Sequence, residues 1–294
     1  PFTDTRYLNA LIDYEVKTQY GSYYNRAYVL PGNKLDVYNG SYNGGIIDLR
    51  EYTVLDMVAE FKDRTGNTCQ LSFILKGVKE FNYPSQVLKG GGEAIFKHNQ
   101  TNKFETDEIR LEFPEGCFYD DFAFRYDYSV QSSYKYSLKH SVHSAETPVH
   151  KYYKVSIKAK NIPEKYQNKA VVTRNGRSEG GYYSNGWVLA RARYFGSFGV
   201  SIDTIAPSII PHKIDGYNLK WRKSISIGIG DNLSGLKSYK TFIDGEFVIM
   251  EHDYKAGVLR YSFSTEPDDK VHVMKIIAVD RVGNKNETEL KYTR

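Results

Sequence analysis

Seven histidines are the residues in this sequence best suited to hold a metal or move a proton. They cluster once, at His140-Ser141-Val142-His143 with His150 downstream. On a strand, positions three apart face opposite ways, so this pair chelates only if the chain turns between them. Ordinary histidines in a solvated loop are the plainer reading. No H-x-H, H-E-x-x-H or C-x-x-C occurs, so no standard zinc pattern is present. Asp120-Asp121 and Asp268-Asp269 are paired carboxylates. Glycosidase chemistry needs two acids facing each other across a cleft, whereas adjacent acids usually mark a turn or a solvated edge. Asp231-Asn232-Leu233-Ser234-Gly235 offers oxygens to calcium but lacks the further acids of an EF-type loop, and a turn is the simpler reading. Gly90-Gly91-Gly92 has no Lys-Ser/Thr after it and reads as a flexible turn. No G-x-S-x-G elbow occurs.

Tyr182, Tyr183 and Trp187 sit beside Gly180-Gly181 and Asn185-Gly186. They would form an aromatic platform for sugar rings or a partner protein. Core and cross-strand packing is the plainer alternative, because the chain has 26 Tyr throughout. Cys69 is in phase with Leu71, Phe73 and Leu75, which predicts a buried structural thiol. Cys117 follows Gly116 in a different expected domain, and spacing alone does not establish a bridge between the two.

Strands must position these residues. The 26 Tyr, 15 Phe and 24 Gly suit pleated surfaces and tight turns. One helix is expected near residues 3–12, with positions 7, 8, 11 and 12 on one face and Thr3 or Asp4 as cap. Residues 54–76 then read as a hairpin closed by Asp63-Arg64-Thr65-Gly66-Asn67. The unit recurs at Asp280-Arg281-Val282-Gly283-Asn284, with Leu290 and Tyr292 in register with Phe73 and Leu75. Asp63, Gly66, Asn67, Asp280, Gly283 and Asn284 are therefore read as structural turn residues, each set closing a domain. Candidate strands between them include 109–113, 122–128, 152–157, 170–173 and 187–195. Asp203-Thr204-Ile205-Ala206-Pro207 reads as a boundary, and Ile243-Asp244-Gly245-Glu246 as a type I′ hairpin.

The expected fold is all-β, with tandem immunoglobulin-like sandwiches and a distinct β-rich middle domain. The expected domains are 1–77, a first sandwich incomplete at its N-terminus; 78–203, a middle sandwich; and 204–294, an immunoglobulin-like domain. A net charge of +5 is spread over a long chain without a basic block, which argues against nucleic acid and allows weak attraction to anionic envelope polymers. Mean hydropathy is −0.54, and no apolar run reaches the length of a membrane span. Any export leader is expected upstream of Pro1.

Several runs resemble a known family. They are Arg6-Tyr7-Leu8-Asn9, Ile12-Asp13-Tyr14-Glu15, Leu30-Pro31-Gly32-Asn33-Lys34-Leu35, Gly45-Ile46-Ile47-Asp48 and Asp63–Asn67. Gly196-Ser197-Phe198-Gly199-Val200, residues 203–207 and the stretch 231–247 extend the series. Together they resemble the region after the catalytic domain in large lysostaphin-type zinc endopeptidases of the bacterial envelope. The resemblance implies a peptidoglycan-cleaving parent whose zinc, bound through H-x-x-x-D and H-x-H, lies in a separate N-terminal domain. Neither motif occurs here, so no catalytic or metal residue carries over and no cofactor is expected in this chain. It also implies strands before Pro1, a periplasmic or outer-membrane location, and a positioning and docking role. The expected partners are the chain's own catalytic domain and peptidoglycan or an envelope protein. A stand-alone glycan- or protein-binding module and a scaffold subunit of an outer-membrane assembly are the alternatives.

Overall fold

A computed structural model describes residues 2–35, 41–78, 94–130, 134–264 and 266–294. Gly90-Gly91-Gly92 lies outside them. Among the described residues, two short α-helices, α1 (Phe2–Asn9) and α2 (Tyr14–Tyr20), precede a region of strands with two 3₁₀ turns, Tyr42–Gly45 and Glu164–Lys169. The expected helix ends before Ala10, and α2 was not anticipated. Of the predicted face, Tyr7, Leu11 and Ile12 are partly buried but Leu8 is exposed, and the buried Ala10 joins Tyr7 in the core.

The strands in chain order are β1 (Val54–Lys62), β2 (Thr68–Lys76), β3 (Ala94–Phe96), β4 (Asn102–Glu105), β5 (Ile109–Phe113), β6 (Phe122–Phe124), β7 (Tyr126–Ser129) and β8 (Lys139–Val142). Next come β9 (Tyr153–Lys158), β10 (Ala170–Arg174), β11 (Arg177–Gly180), β12 (Tyr182–Ser184), β13 (Trp187–Ala192) and β14 (Gly196–Ile202). The last set is β15 (Ser208–Pro211), β16 (Ser224–Gly230), β17 (Leu236–Ile243), β18 (Glu246–Val248), β19 (Glu251–Asp253), β20 (Val258–Ser262), β21 (Val271–Asp280) and β22 (Lys285–Thr293).

The chain divides into two compact units. One comprises Pro1–Gln100, Glu115–Arg125 and Glu146–His150, and the other comprises Thr101–Pro114, Tyr126–Ala145 and Lys151–Arg294. This division cuts across the expected boundary at 77/78, because β3 and β6 pair with each other and belong to the first unit. There, Ala10, Leu30 and Tyr119 form a small core with Tyr7. The Tyr119 hydroxyl donates to the Arg6 carbonyl at 3.0 Å, and the Arg6 guanidinium donates to the Val149 carbonyl at 2.9 Å. Gly32 is required at its position: a Cβ there would lie 2.6 Å from the Phe118 carbonyl oxygen.

β1 and β2 form a two-stranded antiparallel sheet. A first sandwich was expected here, but among the described residues of 1–77 these two are the only strands. Cys69, expected to be buried, is an exposed free thiol on β2, where no second sheet among the described residues covers its face; Cys117 is buried.

The second unit holds two sandwiches. The first has sheets in the order β11-β10-β14-β8-β7 and β12-β13-β9-β5-β4. Alternate residues such as Ile109, Leu111, Phe113, Val155, Ile157, Val188, Phe198 and Val200 are buried between them. The run 122–128, expected as one strand, splits into β6 and β7, which join different sheets. The second sandwich has sheets β15-β16-β20-β19 and β18-β17-β21-β22 around Ile225, Ile227, Leu259, Met274, Ile276 and Leu290. Asp244 and Gly245 both have positive φ, as a type I′ turn requires.

Candidate functional site

The two D-R-x-G-N turns are built alike. Asp63 Oδ1 accepts from the amides of Thr65 and Asn67, both at 2.9 Å, and its Oδ2 accepts from Asn67 Nδ2 at 2.7 Å. Asp280 Oδ1 accepts from the amides of Val282 at 3.0 Å and Asn284 at 2.7 Å, and its Oδ2 accepts from Asn284 Nδ2 at 2.6 Å. Gly66 and Gly283 take φ of 94° and 83°, the left-handed conformation that closes the loop. The side-chain bond from Asn67, foremost, lowers the Asp63 carboxyl to about 2. Their surroundings differ. Asp63 is exposed, whereas Asp280 is fully buried beside Asp203 and Asp231.

The aromatic trio does not form one platform. Tyr182 pairs with Leu189, Tyr183 with Val188, and Ser184 with Trp187. Cross-strand partners share a face, and Val188 is fully buried. Tyr183 therefore belongs to the inner side, while Tyr182 and Trp187 share the outer side. Tyr182 is 62% exposed. Trp187 is half-buried with the Arg110 guanidinium 4.1 Å from its ring centroid, and Arg110 also pairs with Glu105 at 2.6 Å.

The register carries that outer face across the sheet. Leu189 pairs with Ser156, and Arg191 with Lys154. These residues, with Val171 of β10, Glu179 and Gly180 of β11, Gly181, Tyr182 and Ala190, line a cleft of about 580 Å³ together with Ser234, Arg281 and Val282. Lys154 is paired with Glu112 at 3.3 Å, and Glu179 with Arg174 at 2.5 Å. Arg191 and Arg281 make no ion pair among the described residues. The cleft thus offers one exposed aromatic ring, a serine hydroxyl and two uncompensated guanidinium groups. Gly181 is held to glycine: its φ is 123°, and a Cβ would lie 2.6 Å from the Leu189 carbonyl oxygen.

Sequence reading found Tyr182 but missed Lys154, Ser156, Arg191 and Arg281. The signal was present in the outward phase of β9, where Lys154, Ser156 and Lys158 alternate with the buried Tyr153, Val155 and Ile157.

The histidines are committed elsewhere. His140 is buried on β8 with Nδ1 2.8 Å from the Tyr126 hydroxyl. Burial, foremost, lowers it to about 4. His150 is buried with Nδ1 2.8 Å from the Tyr119 hydroxyl and stacks on Tyr7. His143 meets the Phe195 ring edge-on. The paired acids also resolve into local contacts. Asp121 accepts from the His98 amide at 2.9 Å and lies 2.7 Å from its Nδ1; Asp268 accepts from the Lys270 amide at 3.0 Å; Asp269 pairs with Lys220 at 2.7 Å.

Residues 93–203 match the family model of the Zu5-like domain. No curated protein matches the chain. Among solved structures, a similarity is found to SGBP-B of the Bacteroides ovatus mixed-linkage glucan utilization locus, in complex with a mixed-linkage heptasaccharide. The identity is 9% and the TM-score 0.20, over 88% of this chain and 57% of that one. This chain therefore spans less than two thirds of that neighbour, and a TM-score that low carries no functional weight.

Proposed function

We propose that this chain is a non-catalytic, extracytoplasmic binding module for an anionic glycan of the bacterial envelope. The observation that carries the reading is the cleft lined by residues of β9, β10, β11 and β13 together with Tyr182 and Arg281. Its exposed Tyr182 ring can stack on a sugar. Arg191 and Arg281, which form no ion pair among the described residues, suit carboxylates, which guanidinium groups bind in a bidentate fork. Peptidoglycan presents both features, sugar rings and peptide carboxylates. The cleft therefore also fits the accessory role implied by the resemblance to zinc endopeptidases: linked to a catalytic domain, it would raise that domain's effective concentration at the wall.

Co-sedimentation with purified peptidoglycan sacculi, beside polygalacturonate and a neutral mixed-linkage glucan, tests the proposal. The acidic polymers are expected to retain the protein and to release it as salt rises. Tyr182→Ala and Arg191→Ala should each weaken retention by roughly tenfold, the effect of losing a contact of about 1.4 kcal/mol. Equal retention on the neutral glucan, unaffected by Arg191→Ala, would replace the anionic ligand with a neutral one. No retention on any polymer would leave the cleft without a glycan role.

A further inference from the structure

The turn between β16 and β17, the end of β21 and the linker after β14 bring three aspartates together. One carboxylate oxygen from each of Asp203, Asp231 and Asp280 lies within 4.8 Å of the others. Asp203 and Asp280 are 1% and 0% exposed. None of the three is ion-paired with a lysine, arginine or histidine among the described residues. Three like charges at this spacing, two of them out of water and the third partly so, repel unless a cation sits among them.

Two further groups point to a ligand. Asp231 Oδ2 accepts from the amides of Leu233 at 3.0 Å and Gly235 at 2.7 Å, but its Oδ1 is buried with no hydrogen-bond partner. Ser234 is 4% exposed and donates its amide to Asp203 Oδ2 at 2.8 Å. The hydroxyl of that same residue is also buried without a partner. Buried polar atoms are nearly always satisfied, so two orphans beside three carboxylates mark a missing partner that accepts oxygen lone pairs.

We infer that Asp203, Asp231 and Asp280, with Ser234, form a calcium site. Oxygens around one calcium ion lie about 2.3–2.6 Å from it, so pairs on opposite sides of the ion are about 5 Å apart, which matches the spacing here. Calcium tolerates the irregular geometry of ligands drawn from three separate segments, whereas magnesium demands a near-ideal octahedron. The ion would lock the joint between the two sandwiches of the second unit. Protein groups already cross that joint: Asn284 Nδ2 donates to the Asp203 carbonyl at 3.0 Å, and Lys169 Nζ to the Val282 carbonyl at 2.8 Å.

Calorimetric titration of the chelator-treated full chain with calcium chloride, in the absence of any glycan, tests the site. One calcium per chain is expected, with Kd of about 10⁻⁴ M or tighter. Millimolar calcium should raise the melting temperature by several degrees, and magnesium should do markedly less. Asp231→Asn should weaken calcium binding at least ~10-fold. In calcium-free buffer it should melt no lower than the parent, because one of three like charges is gone. Asp63→Asn, in the exposed twin turn, should bind calcium unchanged. Absence of binding heat together with an unmoved melting temperature overturns the site. So does an Asp231→Asn variant that binds calcium like the parent. Stronger binding of magnesium overturns the choice of ion.

Discussion

At Gly199 the strand β14 carries no side chain, and the ring of Tyr134 occupies the space a Cβ would need. The overlap is with ring carbons rather than with the end of a flexible chain, so the ring or the strand must shift. Gly199→Ala is expected to destabilise the chain by about 1–3 kcal/mol, the range for overpacking a filled site, measured by urea unfolding. His140 gives a second residue-scale test. Its folded pKa, lowered to about 4 mainly by burial, lies below the unfolded value of 6.5. The unfolded chain therefore binds the proton more readily between those values. The stabilisation is complete above pH 6.5 and is lost as pH falls towards 4, on the order of 3 kcal/mol in total. His272 acts in the opposite sense. Asp244 at 2.6 Å, foremost, raises its pKa, so its stabilisation is present below pH 6.5 and fades as pH rises through the folded value. Comparing unfolding at pH 7 and near pH 4.5 for the parent and His140→Phe isolates the buried residue. The parent should lose more stability on acidification than the variant, and equal losses would rule out His140 as the cause.

At the scale of elements, the turn chemistry was legible and the sheet order was not. Asp63, Gly66 and Asn67 and their counterparts announce their turns because each role demands a specific residue: a short carboxylate for the amides, a glycine for positive φ. Ile225, Ile227 and Ile229 announced a buried face by alternation alone, and all three are buried. The order β11-β10-β14-β8-β7 joins strands far apart in the chain, and local periodicity does not encode such pairings. The cation cluster was half legible. In the sequence Asp231 and Ser234 offer oxygen ligands within one turn, but Asp203 and Asp280 reach them only through the fold. Cys69 shows the converse failure: alternation with Leu71 and Phe73 indicates a face suited to burial, yet that face is exposed. A thiol reagent such as Ellman's is accordingly expected to titrate Cys69 rapidly in the native chain, and Cys117 only on unfolding. Prompt reaction of both would contradict the burial of Cys117.

At the scale of the whole molecule, the repeated hairpin is the informative contrast. β1–β2 and β21–β22 share a turn, and nine consecutive residue pairs register in each. In β21–β22 the inward residues Met274, Ile276, Ala278, Leu290 and Tyr292 are at most 3% exposed, because the sheet containing β16 and β20 faces them. On the corresponding face of β1–β2, Phe61, Leu71 and Phe73 are 63%, 59% and 42% exposed. Identical turn chemistry therefore does not set the stability of a hairpin; the area it buries does. A two-stranded ribbon without a packed face is marginal in water. Its backbone hydrogen bonds should open by local fluctuation, while those of β21–β22 should open only with the sandwich around them. Hydrogen exchange of the full chain is expected to show the β1–β2 amides exchanging at least ~100-fold faster than those of β21–β22. Equal protection in both would mean that the apolar face of β1–β2 is covered in solution, and the hairpin would then belong to a core of its own.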